Sequence, residues 1–146
     1  MKRFSFPLDR VLHWRKLEAE RERAALQQLL VERERIQNQI AELRRNREDS
    51  RRSVAHARTL RAAEVATLHN WQTRVVRDID QAIAGESKLT ERIRLQHATL
   101  TEAERKVRLL EHLREKRLSE WKTEVAREEE AFAAEAFLAR CIRERT

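Results

Sequence analysis

Asp9 and His13 stand four residues apart, a spacing that puts a carboxylate and an imidazole within reach on one helix face. Such a pair is either half of a metal site or an ordinary surface contact, and we read it as the surface contact. The other histidines, His56, His69, His97 and His112, never occur as Glu-x-x-His. The arrangement that holds two irons inside a helical bundle is therefore absent. Cys141 is the single cysteine, which excludes an internal disulfide and a multi-cysteine zinc site and fits a reducing cytosol. With one glycine in the chain there is no glycine-rich loop to cradle phosphate, so the protein is not itself an ATPase. Ser, Cys and His show no nucleophile–base pattern that long helices would assemble. The sequence thus predicts no catalytic residue, no metal ligand and no cofactor, and no enzyme activity.

The basic residues raise a different chemistry. Lys and Arg number 32 against 25 Asp and Glu, a net charge of +7. An excess of that size brings a chain toward nucleic acid or acidic protein surfaces, and is equally the background of a basic coiled coil that binds neither. Residues 44–61, RRNREDSRRSVAHARTLR, hold seven Arg against Glu48 and Asp49, a net of +5. A basic-leucine-zipper helix looks similar but precedes its zipper. Here the basic stretch lies between two periodic segments, Glu48 and Asp49 follow the asparagine, and acids are interleaved almost everywhere else. Nucleic acid is not expected as a partner. The stretch reads as a solvated turn or a docking site for an acidic protein.

The elements that must carry these residues follow from periodicity. The chain has 39% charged residues, one Gly and one Pro, a composition of long helices or coiled coils. A 3.5-residue rhythm runs Leu8, Leu12, Arg15, Ala19, Glu22, Leu26, Leu29, Arg33, Ile36, Ile40, Leu43, Arg47. Eight of these twelve are apolar, where the overall 40% would place about five. A second runs Ile79, Ala82, Glu86, Leu89, Ile93, Gln96, Leu100, Ala103, Val107, Leu110, Arg114, Arg117, Trp121, with nine of thirteen apolar. Stripes of this length predict a coiled coil. Arg15, Glu22, Arg33, Arg47, Glu86, Arg114 and Arg117 interrupt the seam, their stems lying along it and their heads in water. The seam is therefore loosely held, either flexible or completed by partners.

Pro7 suits a first helical turn, with Ser5 or Phe6 as the cap and Asp9 favourable against the helix dipole. For the reversal there are two candidates. Gly85 is the only glycine, but the second stripe passes through it in phase. Residues 50–64 are poor in large apolar side chains, and Ser53 and Thr59 are available as caps. The second is adopted. The fold expected is all-α, a long antiparallel two-helix hairpin, one rod-like coiled coil over 1–146. Helix 1 covers about 6–55, the turn about 56–62 and helix 2 about 63–140. A monomeric hairpin and a dimer of extended helices would bury the same stripes. No segment has the apolar run of a signal peptide or a membrane span, so a soluble cytoplasmic protein is expected.

Three of the seven aromatic residues, Phe4, Phe6 and Trp14, fall in the first fourteen positions with Leu8, Val11 and Leu12. A solvated rod has no use for that cluster, so a binding end is expected there. Trp121 lies on the second stripe and reads as packing. Trp71 falls one residue off it, with Leu68, Val75 and Val76 nearby, and reads equally as an exposed binding anchor or as a lid on the turn.

The opening FSFPLDRVLHWR resembles the start of the FliJ family, the coiled-coil component of the bacterial flagellar type III export apparatus. Members begin Phe-x-Phe-x-Leu followed by Val-Leu and Arg, here Phe4, Phe6, Leu8, Val11, Leu12 and Arg15. LEHLREKRLSEW, from Leu110 to Trp121, is similar to the family's Leu-x-x-Leu-x-Glu-Lys pattern. Glu128, Glu129, Glu130, Glu135 and Ala136 resemble its C-terminal region. The chain departs from the family in lacking a glycine at the turn and in having Phe137 and Leu138 where relatives are more polar. The resemblance implies a rod like the central stalk of rotary ATPases, standing in the pore of the hexameric export ATPase and promoting its assembly and activity. It implies ring contacts through Phe4, Phe6, Leu8, Val11, Leu12, Trp14 and Arg15, with Leu113, Lys116 and Arg117 opposite. It further implies contact of Leu68, Trp71 and Val75 with the cytoplasmic domain of the membrane export gate, and handling of flagellar export chaperones. The location implied is cytoplasmic, at the inner membrane of the flagellar base only through other proteins. The stalk of a virulence secretion system and a purely structural coiled coil are the alternatives.

Overall fold

The computed structural model describes residues 3–145, and side chains as far as 144. Two helices pack against each other, α1 (Asp9–His56) and α2 (Ala62–Arg145), and 92% of the described residues are helical with no strand. The helical hairpin is thus the architecture that the two apolar stripes predict.

Local chemistry sets the helix ends. The Leu8 carbonyl accepts the first helical bond, from the Leu12 N–H at 2.8 Å, and the Asp9 N–H donates to the Phe6 carbonyl at 3.1 Å. The cap position is therefore Leu8, not the expected Ser5 or Phe6. Pro7, which has no N–H to offer, lies in the tight turn just before the helix. Asp9 still places its charge in the first turn. At the other end the Ala57 N–H reaches the Val54 carbonyl at 3.1 Å, and His56 Nδ1 lies 2.7 Å from the Arg52 carbonyl.

The link to α2 is five residues, 57–61. Neither Ser53 nor Thr59 caps α2. The Arg61 carbonyl accepts the first bond of α2 from the Val65 N–H, and the Arg61 N–H donates to Glu64 Oε2 at 3.0 Å. A glutamate three residues after the cap satisfies the cap's own orphan N–H, half of a capping box. The helix passes through Gly85 unbroken and continues to Arg145, beyond its expected end near 140.

The chain divides into two compact units. The first is Arg21–Thr101, with Ile40, Val75, Ile79, Leu89 and Leu100 buried and Leu26, Leu29, Ile36, Leu43 and Ile93 half-buried. Its seam carries two polar cross-links. Gln96 Nε2 donates to the Glu22 carbonyl and carboxylate, and Gln37 Nε2 donates to Glu86 Oε1 at 2.7 Å. Glu22 and Glu86 interrupt the apolar stripes in sequence, and in space each is met by a glutamine of the opposite helix. A one-turn slip would unpair both, so they oppose slippage of the register. Arg33 and Arg47 are half-buried along the same seam.

The second unit joins the chain up to Glu20 with the stretch from Glu102 onward. Phe6, Leu12, Ala19 and Ala103 are its buried residues, with Phe4, Val107, Leu110, Leu113, Leu118 and Trp121 half-buried. Lys16 Nζ meets Glu111 Oε1 at 2.8 Å and Arg114 Nε meets Asp9 Oδ1 at 3.7 Å, both exposed pairs of small energetic weight. Here the extrapolated stripe fails. Arg114 and Arg117 are exposed, while Leu113 and Leu118 are half-buried. Arg114 stands opposite Asp9, where α1 begins, so beyond it α2 meets the non-helical lead-in and not a second helix.

Among the described residues no large side chain is fully buried and no polar side chain is buried. Two helices make a seam one side chain thick, with solvent on both flanks.

Candidate interaction surfaces

Asp9 and His13 both lie exposed at the surface. Asp9 is held by Arg114, and with Leu12, His13 and Lys16 these line a shallow groove open to solvent. Among the described residues no group of three or more His, Cys, Asp or Glu gathers to hold a metal. On the outer face of α2, Arg94 binds Glu91 with Nη2 at 2.7 Å and Nε at 3.1 Å. That hydrogen bonding first, and the guanidinium charge second, hold the Glu91 carboxyl below its ordinary range.

Three stretches of apolar surface bear on the expected contacts. The first is the start of α1, where the expected cluster divides into two sets. Phe6 and Leu12 are turned inward, 6% and 5% exposed, and the Phe4 ring lies against Trp121 with centroids 5.9 Å apart and planes at 56°. These side chains fasten the lead-in to α2. Leu8, Val11, Trp14 and Leu17 are turned outward. Spaced three apart, they form one ridge inclined across the helix. Arg15 stacks over Trp14, its guanidinium carbon 4.7 Å from the ring centroid, and its charge is met by Glu18 Oε2 at 2.8 Å. Leu17 belongs to this ridge and escapes sequence reading, because its neighbours in the chain are charged. Lys116 and Arg117 on α2 are exposed and Leu113 is half-buried.

The second surface lies on α2, and periodicity gives no warning of it. From residue 126 to 140 every side chain is exposed, including Phe132, Phe137 and Leu138, and Ile142 lies just beyond at 68% exposure. At about 100° per residue these four project at roughly 0°, 140°, 240° and 280° around the helix axis. Leu138, Ile142 and Phe132 fall within about 120° of one another, and Phe137 stands apart on the other side of the helix.

The third is near the turn. Val75 is buried in the helix–helix seam at 5% exposure, so it belongs to the core of its unit; Leu68 and Trp71 beside it are half-buried and remain accessible.

A family model described as the flagellar FliJ protein matches residues 4–145, nearly the whole chain. The chain belongs to the FliJ family. No curated protein and no solved structure matches it. As a FliJ-family member it is a flagellar export-related coiled-coil protein, and the family is a non-catalytic component of export. Among the described residues of this FliJ-family chain no helix is long and apolar enough to cross a membrane.

Proposed function

We propose that this FliJ-family chain is the central stalk of the hexameric flagellar export ATPase, promoting its assembly and activity. The observation that supports the reading best is the bare stretch of α2 from 126 to 140, with Phe132, Phe137 and Leu138 on different sides of one helix. Phe132 and Phe137 project about 140° apart, so no single partner helix or flat surface covers both. A ring surrounds both. The two phenylalanines alone offer about 300 Å2 of apolar surface. At about 25 cal/mol per Å2 this contributes about 7 kcal/mol before the cost of association. The ridge of Leu8, Val11, Trp14 and Leu17 adds a second apolar contact.

In this reading Leu68 and Trp71 meet the cytoplasmic domain of the export gate, and export chaperones use the same protein. The location is cytoplasmic, at the inner membrane of the flagellar base. The test is ATP hydrolysis by the cognate export ATPase with increasing amounts of the chain. Stimulation should saturate near one chain per hexamer. Phe132→Ser with Phe137→Ser should abolish it while circular dichroism stays helical. Stimulation retained by that double variant refutes the stalk reading. Trp71→Ala should weaken gate binding and leave ATP hydrolysis alone.

A further inference from the structure

We propose that the turn between the two helices docks directly on an anionic phospholipid surface. The proposal concerns a different region from the ATPase contacts and stands or falls without them. Residues 44–61 carry seven arginines against two acids, and with Glu64 the turn region keeps a net of +4. Internal pairing uses little of this charge. Arg52 lies 3.5 Å from Glu48, and Glu64 is engaged by the Arg61 backbone N–H. Arg44, Arg45, Arg51, Arg58 and Arg61 are all exposed.

At about 100° per residue, Arg44, Arg45, Arg51 and Arg52 fall within about a third of the α1 circumference, and Arg58 and Arg61 stand in the link itself. The charge is therefore a basic strip on one side of α1 that runs on into the link. The apolar side chains beside it decide which partner fits.

Among its polar residues the apex also carries exposed apolar groups. Every residue from 55 to 67 is exposed, Leu60 at 44% and Val65 at 48%, with Ala55, Ala57, Ala62, Ala63 and Ala66 around them. Basic groups at the headgroup level with apolar groups just beyond are the two signals that together hold a peripheral protein on a bilayer.

The test uses the full chain and co-sedimentation with large vesicles of phosphatidylcholine, with and without about one-third phosphatidylglycerol. The chain should bind the anionic vesicles only. Each arginine near an anionic surface strengthens binding by roughly fivefold, so Arg51, Arg52, Arg58 and Arg61 all changed to Gln should weaken it more than about a hundredfold. Leu60→Glu should weaken it as well, with helicity unchanged. A control chain with Arg21, Arg35, Arg92 and Arg108 changed to Gln loses the same charge elsewhere, and should retain most of its binding. Equal loss in the control overturns the assignment to the turn. Absence of binding to anionic vesicles overturns the proposal outright, and binding of polyglutamate at the turn in its place would reassign the arginines to an acidic protein.

Discussion

Phe6 and Trp14 are eight residues apart in one apolar cluster, and the structure gives them opposite work. Phe6 is 6% exposed and holds the lead-in against α2, whereas Trp14 is 54% exposed, with the Arg15 guanidinium over its ring. Phe6→Ala should cost about 2–3 kcal/mol, toward the low side for a buried aromatic because the seam is thin, and urea unfolding will show it. Trp14→Ala should stay within about 0.5 kcal/mol in the same measurement, while lowering ATPase stimulation. A large stability loss at Trp14 would mean that its ring packs inward in solution. Gly85 offers a second residue-scale case. A methyl group added there would meet nothing within 4 Å, and the backbone is helical. Gly85→Ala should add about 1 kcal/mol by helix propensity. For a chain of this length that is about 3 °C in melting temperature. An unchanged or lowered melting point would show that the helix breaks at Gly85 after all.

At the scale of the elements, the hairpin was legible from two apolar stripes, carrying Leu26 and Ile40 on one and Leu89 and Leu100 on the other, separated by a stretch at 50–64 poor in large apolar side chains. The turn was harder, since no glycine or proline marks it. The signal that starts α2 is Glu64 three residues after Arg61, and it is hidden by the many other glutamates. The bare stretch of α2 was invisible for a physical reason. Periodicity reports a long run at heptad spacing, and four large apolar side chains at 132, 137, 138 and 142 are too few and too unevenly spaced to set one. The same stretch carries the element-scale prediction. Every residue from 126 to 140 is exposed, so the seam does not depend on them. A chain ending at Val125 should keep the urea midpoint of the full protein and lose ATPase stimulation entirely. A lowered midpoint would mean that the stretch folds back on the seam, which would remove the case for an encircling partner.

For the whole molecule, the net charge of +7 averages unlike pieces. Residues 44–61 hold +5, while residues 124–136 hold Glu124, Glu128, Glu129, Glu130 and Glu135 against Arg127 alone. The basic piece lies in one compact unit and the acidic, phenylalanine-bearing piece in the other. The two surfaces should therefore answer differently to salt. Attraction of the turn arginines to headgroups is screened as the Debye length falls from about 10 Å at 0.1 M to about 3 Å at 1 M. Burial of Phe132, Phe137 and Leu138 in a partner has no such dependence. Raising sodium chloride from about 0.05 M to about 0.5 M should cut vesicle binding by more than about tenfold and ATPase stimulation by less than about twofold. Vesicle sedimentation and ATP hydrolysis measured on one protein preparation across that range will decide it. Stimulation that fell with vesicle binding would mean that charge, and not the apolar side chains on α2, holds the ATPase. The glutamates flanking Phe132 would then be the residues to replace next.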